Sequence, residues 1–138
     1  MDEARFGCQG SGACCSGYTY GPIEPAVVAA VRAHGFRGNA ALIAEADPFP
    51  EVPRSDGGGT MHVLRTVGAR CVFLSPADAC VIHEELGPEA KPAICRAYPM
   101  LFTETDDGAW YVSLNMECGG FAEGRRTGPS LRAQLPAL

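Results

Sequence analysis

What the chain most plainly has little of is clustered positive charge. Eleven Lys and Arg stand against sixteen Asp and Glu, for a net charge of -5. No basic stripe is available to neutralise phosphates, which argues against a DNA or RNA partner. Long apolar runs are missing too: none approaches the roughly 18 residues of a spanning helix. The stretch MDEARFGC has neither a basic n-region nor an apolar h-region. The expectation is a soluble, cytoplasmic protein with no nucleic-acid and no membrane partner. Two further absences concern sites. There is no pair of short C-x2-C knuckles of the structural-zinc kind, and no Gly-rich strand-to-helix loop to cradle a nucleotide. No internal repeat is visible.

What is abundant is glycine (17), proline (11) and cysteine (7) in 138 residues. The first two imply many turns and short elements. The length suits one core, so residues 1–138 are expected to form a single domain, with a core of about 5–118 and a tail of 119–138. The cysteines stand at 8, 14, 15, 71, 80, 95 and 118. Disulfides are rare where thiols are kept reduced, and an odd count leaves one thiol over, so metal ligation is the leading explanation.

The expected fold class is α+β: short antiparallel hairpins and two or three short helices around a cysteine-lined metal site. Cys8 to Cys15 reads as a glycine-rich loop that could bring nearby side chains onto one ion or cluster. Pro25 and Gly35 bracket a helix over Ala26 to His34, with Val27, Val31 and His34 on its buried stripe and His34 read as a helix-end residue. Asn39 can cap a second helix over Ala40 to Ala46. Pro48 to Gly59 reads as a mobile loop. Met61 to Val67 and Cys71 to Leu74 read as strands, the latter forming a hairpin with Cys80-Val-Ile around Ser75 to Ala79. Pro92 starts a helical turn to about Tyr98 that carries Cys95. Met100 to Thr105 and Ala109 to Leu114 flank Asp106, Asp107 and Gly108 as a further hairpin, with Trp110, Val112 and Leu114 sharing one face and building core.

Thiolate is a soft ligand and selects zinc or an iron–sulfur cluster over magnesium or calcium. Four thiolates leave a charge of about -2 with either, which Arg70, Lys91 and Arg96, neighbours of the cysteines in sequence, could offset. The vicinal pair and irregular spacings suit a cluster pocket better than a zinc knuckle. The expected metal ligands are Cys8, Cys14, Cys15, Cys71, Cys80 and Cys95, with Cys118 divided between ligand and small buried core residue.

Phe6, Cys8, Cys14 and Cys15, then Cys71 with Phe73 and Leu74, then Cys80 with Ile82, His83 and Glu84, then Lys91, Pro92, Cys95, Arg96, Tyr98 and Pro99 form a pattern. On these residues the chain resembles the cysteine-cluster family described as a zinc- or iron-chelating domain (YkgJ-like), over roughly residues 5 to 118. The family opens with C-x2-C-x2-C-C, and Ser11 stands here where it has its second cysteine. The resemblance implies a metal cofactor and adds Ser11 as a poorer oxygen ligand. His83, at C-x2-H spacing from Cys80, is a further candidate, although tyrosine also occurs there in the family. The readings carried forward are a metal-binding protein holding an iron–sulfur cluster, with a redox, sensing or accessory role; a structural zinc module presenting a surface to a protein partner; and an enzyme, since a related region occurs in flagellin lysine N-methylases.

Overall fold

The structure, a computed structural model, describes residues 5–6, 12–36, 46–124 and 127–134. Helix α1, Pro25–His34, has proline in its first turn and Gly35 just past its end at φ 65°, a left-handed conformation that costs glycine nothing. Its buried side chains are Val28 and Val31. The stripe is therefore turned by one residue from the expected one, leaving Val27 half-buried at its edge. His34 is exposed, with Nε2 2.6 Å from Glu85 Oε2. The helix expected over Ala40 to Ala46 lies, except for Ala46, outside the described residues.

Pro48 to Gly59 is not one loop. Strand β1, Glu51–Pro53, pairs antiparallel with β2, Thr60–His62, in the register Val52 to Met61. Between them Asp56 accepts a bond from the Gly58 N–H at 2.9 Å and Arg54 N–H bonds Gly59 O at 2.9 Å. This aspartate turn closes the hairpin, and Pro53 is tolerated because it ends an edge strand. Strand β3, Thr66–Val67, pairs with β4, Arg70–Cys71, so the single expected strand Met61 to Val67 is two pieces broken at Val63 to Arg65.

The hairpin expected between Cys71-Val-Phe-Leu and Cys80-Val-Ile is also corrected. Ser75 to Ala79 does turn the chain, through Ser75 N–H to Ala79 O at 2.8 Å, but only Leu74 and Cys80 bridge across it. Cys80 is the residue before helix α2, Val81–Leu86. Val81 and Ile82 are both fully buried, which a strand with one solvated face does not allow and a short helix lying on the core does. A 3-10 turn, Pro88–Ala90, leads to helix α3, Ala93–Ala97, capped by Pro92 and Tyr98, the helical turn expected there.

The core joins Val28 and Val31 of α1 to Phe36, Phe49, Leu64, Val72, Phe73, Val81 and Ile82. Phe73 sits between Phe36 and Phe49, with ring centroids 5.3 and 5.5 Å away. Cys15, Cys80 and Cys95 pack against its edge.

Strands β5, Met100–Glu104, and β6, Trp110–Leu114, form the expected hairpin, but although Met100 is buried, Trp110 and Val112 are exposed rather than core. Trp110 is 61% and Tyr111 65% exposed. Alternation correctly groups side chains on one face, yet a two-stranded ribbon buries that face only if another layer covers it. Beyond Cys118, where an irregular tail is expected, short helices α4, Gly119–Ala122, and α5, Leu131–Gln134, form, and Ser130 bridges back to Arg5. The architecture is α+β, built from three two-stranded antiparallel sheets and short helices.

Candidate metal centre

Three separate backbone devices deliver cysteines to one place. The first is the 3-10 turn Ala13–Cys15, closed by Cys15 N–H to Gly12 O at 3.0 Å. Tyr20 donates its hydroxyl to Cys14 O at 2.8 Å. Just beyond, Ser16 bridges Arg70 and Gly17 N–H bonds Ala69 O at 2.6 Å, which lays the vicinal cysteines beside Cys71 at the end of β4. Gly12 is required here: at φ +65° an added Cβ would stand 2.9 Å from both Cβ and O of Asp78. The second device is the 75–79 turn that returns the chain at Cys80. The third is α3, whose first N–H, on Ala93, is accepted by Glu24 Oε1 at 2.9 Å across 69 residues, so the segment ahead of α1 holds the helix that carries Cys95.

The result is a cavity of about 30 Å³ lined by Cys14, Cys15, Cys71, Cys80 and Cys95 together with apolar side chains, Tyr20, Tyr98 and Lys91. A larger cavity of about 370 Å³ shares Cys14, Cys15, Cys80 and Lys91 with it and adds Asp78, His83 and Glu84. Of the expected ligands, five thiols therefore line one cavity. His83 lines only the second cavity, Cys118 lines neither, and Cys8 and Ser11 lie outside the described residues.

The thiols respond to their surroundings in opposite ways. Cys14 and Cys15 have their sulfurs 3.9 Å apart. The hydrogen bond from Cys15 holds the Cys14 thiol down to about 6, against burial and with help from Lys91, while the same bond and burial push Cys15 up. Burial raises Cys71 to about 11 and Cys95 to about 12. A gathered set of thiols in apolar surroundings resists being charged all together unless a cation joins it.

The donors fit a soft metal. Among the described residues the small cavity is lined by five cysteines with no carboxylate or imidazole, the preference of zinc or iron–sulfur sites. Tyr98, also on that wall, has a buried hydroxyl with no hydrogen-bond partner among the described residues; a thiolate or sulfide is an acceptor for such a donor. Among the described residues no group of three or more His, Cys, Asp or Glu is already arranged to hold an ion. The two observations are compatible, because turning a cysteine between its staggered χ1 positions moves its sulfur by roughly 3 Å, and metal binding is what gathers ligands held on such a wall.

Sequence reasoning missed Glu24 and Tyr20, for nothing local marks a glutamate before one helix as the cap of another, or a tyrosine as the support of a cysteine carbonyl. Lys91 was marked by its place beside the cysteines, but as one of three cations.

Fold and cavity define the class: a small cysteine-cluster α+β protein. The family model CxxCxxCC, described as a "Putative zinc- or iron-chelating domain", matches residues 7–119, and the chain belongs to this family of zinc- or iron-chelating, metal-binding domains. No curated protein and no solved structure matches the chain. No helix of the described residues is long and apolar enough to cross a membrane.

Proposed function

We propose that this metal-binding chain holds an iron–sulfur cluster through thiolates drawn from Cys14, Cys15, Cys71, Cys80 and Cys95, and serves a redox or sensing role. The observation that carries the reading is the convergence of five thiols on one largely apolar cavity. Zinc sites and iron–sulfur clusters alike are held by four protein ligands, so five thiols suffice for either, and it is the vicinal pair with irregular spacings that favours the cluster. When bound, such a cluster supplies one-electron chemistry. The protein's part is to hold it in apolar surroundings and donate to its sulfurs, with Tyr98 as a candidate donor.

A single zinc ion is the second reading. The small cavity volume, about 30 Å³, favours it. Such a module would present its surface, including exposed Trp110 and Tyr111, to a protein partner.

The test is anaerobic purification with metal and sulfide analysis of the natural chain, Ser11→Cys, Cys80→Ser and Cys95→Ser. The expected results are a brown protein containing iron and sulfide, a higher load in Ser11→Cys and lower loads in the two serine variants. A colourless protein with stoichiometric zinc selects the second reading. Equal, negligible metal in all four would overturn both.

A further inference from the structure

We infer that Lys91 is the charge-compensating residue of this centre, the one cation among the three sequence neighbours that lines the thiol cavity. The inference rests on the metal-holding reading above. Arg70 is committed elsewhere: its Nη2 lies 2.8 Å from Asp78 Oδ1 and 3.3 Å from Ser75 O. Arg96 lines neither cavity: its Nη1 lies 2.9 Å from Glu89 O and 3.8 Å from Glu89 Oε2, and its buried Nε has no hydrogen-bond partner among the described residues. Lys91 lines the thiol cavity and the larger cavity beside it, and it is half-buried. Its backbone is pinned, the N–H donating to Pro88 O at 3.2 Å, with fully buried Pro92 following. Among the described residues its ammonium group makes no ion pair within 4.0 Å; the partnered cations near the site are Arg70 and Arg96.

The charge of a half-buried lysine on the wall of a cavity lined by five cysteines is matched once those thiols become thiolates. Four thiolates around a core of charge +2 leave -2, and in surroundings of low dielectric a fixed cation on the wall offsets half of it. Its charge already favours the thiolate forms of Cys14 and Cys95. Standing on the wall common to both cavities, it compensates the centre from its polar side, while Leu64, Phe73 and Ile82 close the other.

The test compares the natural chain with Lys91→Met, Lys91→Gln, Lys91→Arg and Arg70→Met. Zinc alone is the probe, and its affinity is read by competition with a chromophoric chelator, alongside thermal unfolding of each metal-free protein. Lys91→Met and Lys91→Gln should lose about 10- to 100-fold in zinc affinity, the range for removing a group that supports metal ligands. Lys91→Arg should recover most of it, Arg70→Met should lose much less, and the metal-free melting temperatures of the Lys91 variants should match that of the natural chain. Undiminished affinity in Lys91→Met overturns the inference. So does a loss no larger than that of Arg70→Met, or one that tracks a lowered metal-free melting temperature. If the natural chain binds no zinc here and carries neither iron nor zinc in the metal analysis above, the metal-holding reading itself fails and this one with it, an outcome visible in the natural chain alone.

Discussion

Replacing Glu24 by alanine removes the one side-chain cap on the helix that carries Cys95. Pro92, at the N-cap of α3, makes no side-chain bond, and Glu24 Oε1 alone accepts the Ala93 N–H, at 2.9 Å. Loss of a capping side chain costs about 0.5–2 kcal/mol, and a charged acceptor sits towards the upper end, near 2 kcal/mol. Against this, Glu24 Oε2 is buried with no partner, an uncompensated polar atom whose removal returns roughly 1 kcal/mol. The net loss should be about 1 kcal/mol, a fall of roughly 3–5 °C in melting temperature for a chain of this size. Glu24→Gln keeps an acceptor for Ala93 and should lose less than about half as much. Thermal unfolding of metal-free protein reads the cap directly. Zinc competition then shows whether loosening α3 weakens the site, as the position of Cys95 requires. An alanine variant that melts within about 1 °C of the natural chain, or a glutamine variant as damaged as alanine, would refute the capping argument.

Gly12→Ala should destabilise by about 2–4 kcal/mol, combining a left-handed φ with a 2.9 Å approach to Asp78; an unchanged denaturant midpoint would refute this. The metal-free protein should lose stability at alkaline pH. Burial raises Cys71 to about 11 and Cys95 to about 12 from an ordinary 9.0; raised folded-state values contribute stability below about pH 9 that is lost as pH climbs through 11–12, and a flat melting temperature over that window would contradict it. Both thiols must also release protons to ligate, so zinc affinity should climb from pH 7 to 9, whereas Cys14, held near 6, should add little to the slope. Proton release measured on zinc addition tests this. Finally, Trp110, the single tryptophan, is 61% exposed, so its emission should be red-shifted and readily quenched by acrylamide. A blue-shifted, protected indole would mean that the hairpin face is covered.

Local chemistry was readable wherever one residue type settles a conformation. Pro25 and Gly35 bracket α1, Asp107-Gly108 turns β5 into β6, and Ser75 to Ala79 reverses the chain at Cys80; each follows from a fixed φ, a permitted positive φ or a side chain bonding its own turn. The soft-ligand chemistry of the site was equally legible, because sulfur's preference does not depend on where the chain carries it.

Partnership was decided only in three dimensions. A short apolar run such as Val81-Ile82 suits a buried strand or a buried helix alike, and only the core beneath chose the helix. Trp110, Val112 and Leu114 share a face by alternation, but whether anything lies over that face depends on elements remote in sequence. The same holds at the centre. The sequence by itself made thiols the candidate donors, in two groups at Cys8 to Cys15 and Cys71 to Cys95. That Cys14 and Cys15 meet Cys71 through the Ser16 to Arg70 bridge, that Glu24 steadies the helix of Cys95, and that Lys91 lines the thiol cavity while Arg70 and Arg96 do not, are set by how the whole chain packs, and no local preference encodes them.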